Sequence, residues 1–531
     1  MAKCDMPPPS FISQPVVQAR YRRDTVLDSV SRSSGASRTG DRLAMSDSNS
    51  TEEKCNVEDE KTVRFRPGDL EDPRNWPRWR KLLSWLPLIP LDLAVSFGAS
   101  GYSPATSKWT EDWGYSREIG ILGLSLYTLA LGFGPLVNAP ASEYFGRRPI
   151  YIVFYGLALP FYIGSALAPN LACWLITRFL CGFFQSVTLA CIGGTIADLY
   201  SHHETGIPMS WYIWAATGGS PIGFFLLSFV AQYRPWQEVI WAIMGISGGF
   251  YLFVMAAVCY CGETRHSVLL RARAARLRKE TGDQTLDVPP EMRRKSIGQI
   301  LLVTQTRPFR FLFTEPVVQF CALYNGYLFG ISFLLNGAFS LVFGPKGHGF
   351  NTLQVGLCFL AVAGGISMGP AINLLQERYY QRRVAQTAGR NVPEARLRMA
   401  TIAGIAFPIS LFWFAWTTYS SIHPVVPLLA AALWGWSYYT LILMTFQYVE
   451  DAYKQYSASA LAVLGFVRNL AGGGFPLFGN QMFETEGYQW AGTILAFLAL
   501  VMVPIPFVLQ RYGERLRRRS HWASQHMNEV D

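Results

Sequence analysis

Two charged side chains stand where the sequence is otherwise apolar. Asp92 sits within Leu88-Ile89-Pro90-Leu91-Asp92-Leu93-Ala94-Val95, and Arg178 within Trp174-Leu175-Ile176-Thr177-Arg178-Phe179-Leu180-Cys181-Gly182. A charge inside a membrane helix costs about 2.5–3.5 kcal/mol on the insertion scale, so each should face the protein interior and find a partner. A carboxyl can take up and release a proton, whereas a guanidinium stays charged and can only respond. The bland alternatives are an Arg held by backbone carbonyls and a permanent ion pair.

A second group lies in one short loop, Ala139-Pro140-Ala141-Ser142-Glu143-Tyr144-Phe145-Gly146-Arg147-Arg148-Pro149. Gly146 permits a tight turn between two helices. Arg147 and Arg148 can pair with an acid at a helix end, and such a contact, broken and remade, could latch one helix bundle against another. The same arginines could merely anchor topology.

The elements that position these residues follow from hydropathy. Apolar segments run over 82–104, 118–139, 149–168, 171–195, 208–231 and 238–260. Beyond a polar gap come 315–343, 353–375, 399–419, 424–448, 457–480 and 489–510. Each is close to the roughly 20 residues that cross a bilayer. Two sets of six joined by a polar linker suggest an internal repeat, as in many secondary transporters. The fold class is an all-α membrane protein of 12 transmembrane helices in two pseudo-symmetric six-helix bundles.

Composition agrees. Of 531 residues only 15% are charged, against 50% hydrophobic and 14% aromatic, which excludes an ordinary soluble enzyme. The net charge of +10 would suit a nucleic-acid binder. Its placement argues otherwise: the gap 262–313 holds 11 Lys/Arg and 5 Asp/Glu, and the loop 376–398 and the C-terminal tail are also rich in Arg. All lie on one side of the membrane, and the positive-inside bias makes that side the cytosol, with both termini there. The stretch Arg271 to Lys279 is either an amphipathic helix on anionic lipid or a solvated basic loop. The expected organisation is a disordered cytosolic tail (1–80), a bundle (81–261), a basic cytosolic linker (262–313), a second bundle (314–511) and a cytosolic tail (512–531). The nine cysteines are scattered and suggest neither zinc nor a disulfide framework. No Walker pattern or catalytic constellation is visible, so the chain is not expected to be an enzyme.

Glu143 with Gly146-Arg147-Arg148 resembles the loop motif of the major facilitator superfamily. Flanking segments resemble its fungal 12-span drug:proton antiporter branch: Asp72-Pro73-Arg74-Asn75-Trp76, Gly123-Leu124-Ser125-Leu126-Tyr127, Gly194-Thr195-Ile196-Ala197-Asp198, Gly262-Glu263-Thr264-Arg265, Arg307-Pro308-Phe309-Arg310 and Gly474-Phe475-Pro476-Leu477-Phe478. The resemblance runs from about residue 70 to 523. It implies the major facilitator fold and links Arg178, in the fourth span, to proton coupling. In that fold the first and fourth spans are neighbours. By depth along the helices, Asp92 and Arg178 differ by a few Å (at about 1.5 Å per residue), which a long side chain can bridge. Asp92 is therefore the expected protonation site, with Arg178 its partner.

The resemblance also implies a Gly/Pro-rich fifth span that packs the two halves closely. Here Gly219 and Gly223 remain, Phe224 stands where the family has Pro, Leu227-Ser228 stand for the family's Gly pair, and Pro221 is offered as the kink. Candidates for a substrate cavity are Gln185, Tyr324, Asn325, Asn336 and Asn469, each equally suited to glue helices together. Arg468 is a candidate for the cavity or for a cytosolic gate. Related transporters often carry an acid where Asn336 stands, so a polycationic substrate is disfavoured.

The expected activity is export of amphipathic organic compounds (a drug, toxin or secondary metabolite) by proton antiport with alternating access. The proton gradient takes the place of a cofactor. The expected partners are a small organic molecule, protons and lipid, not nucleic acid, and the protein works as a monomer in the plasma membrane. The alternatives are a vacuolar membrane, uptake or sequestration of a small polar solute, and a non-transporting sensor on the same fold.

Overall fold

The computed structural model describes residues 62–66, 68–201, 204–293, 296–345, 347–387, 392–520 and 522–524. Among these, 12 helical segments are long and apolar enough to cross a membrane. The first six spans are Arg78–Trp113, Arg117–Phe145, Arg147–Ala166, Leu171–Leu199, Gly206–Tyr233 and Trp236–Cys261. The last six are Pro316–Phe343, Thr352–Gln386, Pro393–Trp416, Val425–Tyr453, Ser457–Glu486 and Tyr488–Arg519. Every apolar segment of the sequence corresponds to one span. Several spans overrun their apolar core, most of all the first, the eighth and the twelfth.

Two spans are interrupted near functional residues. The first has its helix Leu88–Ser100 flanked by breaks, one at Pro87, which has no N–H to donate, and one at Gly101. The fourth breaks at Ser186, between Leu171–Gln185 and Val187–Leu199. There the Ser186 hydroxyl donates to the Phe183 carbonyl (2.7 Å) and accepts from Asn138 of the second span (2.8 Å). Side-chain bonds of this kind compete with the helix ladder.

Within the first half, span 1 packs on span 5, span 2 on span 4, and span 3 on spans 4 and 6. Within the second half, span 7 packs on span 11, and span 10 on spans 8 and 9. The halves meet through spans 2 and 11 and through spans 5 and 8. These two seams exchange under the repeat that maps span 2 onto 8 and span 5 onto 11. The most apolar window of span 7 is 89% buried, that of span 6 only 28%. The peripheral helices thus carry the lipid-facing residues, among them Leu252, Phe253 and Val501.

The basic linker is helical over the Arg271–Lys279 stretch. It forms the helices His266–Thr281 and Ile297–Thr314. Leu270 and Ala274 of the first are buried against Val63 and Val288. Its cations are taken by acids just ahead of span 1: Arg273 bonds to Asp69, Arg276 to Glu71 (2.6 Å), and the His266 ring contacts Asp72 (3.0 Å). Arg278 pairs with Asp287 (2.9 Å) within the linker itself. Arg273, Arg276 and Arg278 are therefore ion-paired within the protein. For the same reason the expected tail cannot reach residue 80: from Thr62, which bridges to Asp287, the chain is structured, while residues 1–61 lie outside the described part.

Candidate functional site

Between the halves, on the face opposite the linker, lies a cavity of ≈ 560 Å³. Its walls come from spans 1, 2, 5, 7, 8 and 11, including Leu124, Phe224, Phe333, Asn336, Ser340 and Asn480. That volume falls in the usual range for small-molecule sites. Towards the linker face the halves are sealed by hydrogen bonds across the seam: Gln447 to the Gly206 carbonyl (3.2 Å), Tyr439 to the Ser210 carbonyl (3.0 Å), and Trp214 to Ser367 (3.1 Å). The conformation is open on one face and closed on the other.

Below this vestibule is a second, much smaller cavity of ≈ 20 Å³, room for about one water. Asp92, Ser96 and Ser220 line it from the first half, and Phe329, Phe333, Arg468 and Asn469 from the second. Asp92 and Arg468 are each 2% exposed. The Oδ2 of Asp92 and the Nε and Nη1 of Arg468 have no hydrogen-bond partner. Phe333 lines both cavities, and Asn336, on the vestibule wall, donates to the Ser220 hydroxyl (3.4 Å) below it. These side chains form the septum between the two spaces.

The expected Asp92–Arg178 pair is absent. Arg178 is fully buried, with Nη2 on the Gly98 carbonyl (2.9 Å), Nε on that of Gly123 (3.4 Å), and the rings of Tyr102 and Tyr127 beside it (5.4 and 5.0 Å). The helix break after Ser100 explains this. It leaves the last carbonyls of Leu88–Ser100 without intrahelical donors, and Arg178 serves one of them. Arg178 is thus a cap on span 1, the role of an Arg bound to carbonyls, and Arg468 occupies the position expected for it.

The loop of Glu143, Gly146, Arg147 and Arg148 builds a charge cluster inside the first half. Arg147 binds Asp198 at the end of span 4 (3.3 Å) and the Ser142 hydroxyl (2.7 Å). Arg265 bridges Asp198 (3.3 Å) and Glu143 (3.8 Å). Glu263 accepts the backbone N–H groups of Arg147 (2.9 Å) and Arg148 (3.1 Å), capping span 3. Gly146 turns at φ +102°, and a Cβ there would run into the Glu263 carboxylate. The cluster clamps spans 2, 3 and 4 to the linker rather than latching half to half. Its counterpart in the second half was not foreseen: Arg396, 1% exposed, binds Asp451 (2.6 Å) and Glu377 (2.9 Å) and stacks on Tyr380 (3.7 Å). Aligning the halves on Glu143/Glu377, Arg147/Arg396 and Asp198/Asp451 would have revealed it.

The fifth span packs on span 8 of the other half, while the two glycines of its motif face span 1. A Cβ on Gly223 would sit 2.7 Å from the Phe97 ring and 3.0 Å from its Cα, and one on Gly219 would strike Ser96. Both glycines admit span 1, within the same half. The helix runs unbroken through Pro221. Of the cavity candidates, Asn336 lines the vestibule and Asn469 the inner cavity. Gln185 is buried among Tyr127, Tyr155 and Tyr162, accepting from the first and third and donating to the second. Asn325 bonds to Thr445 (2.9 Å) and Cys321 (2.7 Å), and Tyr324 is buried close to Gly404. These three line neither cavity.

The sequence profile of the Major Facilitator Superfamily matches residues 93–476. The chain belongs to this superfamily. It is 32% identical over 471 residues to the efflux pump FUBT of Fusarium oxysporum, covering 88% of this chain and 78% of that one. It is 35% identical over 466 residues to the MFS-type efflux pump MFS2 of Trichophyton rubrum, covering 87% and 77%. The structure of the proton:xylose symporter XylE of E. coli superposes with a TM-score of 0.57 at 14% identity, over 82% of this chain and 96% of that one. That likeness establishes the shared fold. The superfamily comprises transporters and not catalytic enzymes, and this member is a multi-pass secondary transporter that moves small organic compounds across a membrane.

Proposed function

We propose that this transporter exports amphipathic organic compounds by proton antiport, as its fungal relatives named efflux pumps suggest. The carrying observation is the juxtaposition of Asp92 and Arg468, from opposite halves, in one small cavity beneath an open vestibule. In the conformation described, an ionised Asp92 attracts Arg468 across the seam and holds the linker face shut. A proton arriving through the vestibule neutralises Asp92 and removes that attraction. The halves, taken as 81–261 and 314–511, then rock apart at the linker face. The proton leaves there, substrate binds, and ionised Asp92 favours return to the outward-open form.

Positive-inside bias supports placing the linker, both termini and the Arg147 and Arg396 clusters in the cytosol, and the vestibule outside. The compartment proposed is the plasma membrane. A monomer suffices, because one chain supplies both walls of the vestibule. The pairing of linker arginines with Asp69, Glu71 and Asp287 supports a structural role for the basic charge and not nucleic-acid binding.

The direct test is dye efflux from proteoliposomes under an imposed pH gradient. Wild type should move dye only with the gradient and acidify the lumen or medium in the opposite sense. Gradient-independent flux, or a full pH response in Asp92→Asn, would sink the antiport reading.

A further inference from the structure

The vestibule's charge is one-sided. Arg117 is the one charged residue among the described residues that line it. Lys108 stands just behind the wall, with Nζ on the carbonyls of Gln232 (3.1 Å) and Arg234 (2.9 Å). The acids of this face, Glu111, Asp112, Glu118, Glu238, Glu484 and Glu486, are exposed and line no part of the cavity. Lys346 lies outside the described residues.

The remaining polar wall is made of hydroxyls and carboxamides. Asn480, 8% exposed, lines the cavity from the eleventh span with its Oδ1 close to Gly337, and its side chain makes no hydrogen bond among the described residues. Asn336 holds Ser220 by one weak bond from its amide, which has a second N–H to give. Phe224, Phe333 and Leu124 supply the apolar surface. A cation entering this space would shed water and meet no counter-charge, which is costly at low dielectric. A carboxylate or a carbonyl would meet a guanidinium and amide donors.

From this lining we infer that the vestibule selects oxygen-rich organic anions, together with their uncharged forms, and rejects organic cations. This rests on the reading of the chain as a transporter and names the substrate class of that same path. Arg117 is the anion-selecting residue, and Asn480 a neutral contact whose charge sets selectivity.

Two xanthene dyes of similar shape and opposite charge test it: fluorescein and tetramethylrhodamine ethyl ester. Binding to the purified transporter is read by fluorescence anisotropy, and export from proteoliposomes with the membrane potential clamped. Wild type should bind and export fluorescein and leave the rhodamine untouched. Arg117→Gln should weaken fluorescein binding by about tenfold, the effect of one charge-assisted hydrogen bond. Asn480→Asp should bring the rhodamine into range while weakening fluorescein. Equal export of both dyes by wild type, or fluorescein binding indifferent to both substitutions, overturns the inference and leaves transport standing. If neither dye binds or moves, the transport reading falls with it.

Discussion

Asp92 of the first span and Arg468 of the eleventh face the same small cavity from opposite halves of the chain, without an ion pair between them. Their attraction therefore acts across the seam that alternating access must open. Asp92→Asn and Arg468→Ala should each abolish gradient-driven export while leaving the protein folded. Arg178→Ala should instead unfold at lower temperature, because it orphans the Gly98 carbonyl, a loss of about 1–3 kcal/mol. Thermal unfolding beside proteoliposome flux separates the two roles. A stable Arg178→Ala protein with no pH response would reverse the assignment.

The seam between spans 1 and 5 has no spare room. Gly223→Val should push Phe97 and the span carrying Asp92 outward. Overpacking of this order costs about 1–3 kcal/mol. A lower melting temperature and reduced flux are expected, with Gly223→Ala milder than Val. Unchanged melting would mean that span 1 can shift freely.

Arg396 holds two carboxylates in a buried site. Removing it leaves Glu377 and Asp451 uncompensated, and breaking a buried pair costs about 3–5 kcal/mol. Arg396→Ala should melt well below wild type. Adding Glu377→Gln and Asp451→Asn should recover part of the loss. If the triple variant were no better than the single one, the charges would not be the cause.

The linker contact carries its own pH signature. The hydrogen bond from Arg273 holds the Asp69 carboxyl below its ordinary value. A lowered native pKa stabilises the folded contact above the ordinary carboxylate range, and the gain is lost as pH falls through the lowered value. Protease cutting within the linker should stay slow from neutral pH down to mild acid and accelerate only below that range. Arg273→Ala should be cut faster at neutral pH, and a pH-independent rate in wild type would refute the contact.

Much of this was written in the sequence. Hydropathy alone marks all 12 spans, because a helix in lipid must be apolar over a fixed length and satisfy its own backbone. The loop motif marked Arg147 as functional, and the rarity of charge in apolar segments singled out Asp92. Partners were another matter. Depth along a helix says how far in a residue lies but not which way it points, so Asp92 was matched with Arg178 at similar depth. The break after Ser100 exposed a carbonyl that claimed Arg178, and the packing of span 2 on span 11 brought Arg468 into its place. Likewise Arg396 read as one basic residue in a basic loop until spans 8 and 10 brought Glu377 and Asp451 to it. Sequence by itself determined the solvent of each segment, since transfer free energy is a property of composition. Tertiary structure decided which charges meet, since that depends on helix rotation, on where helices break, and on which halves touch.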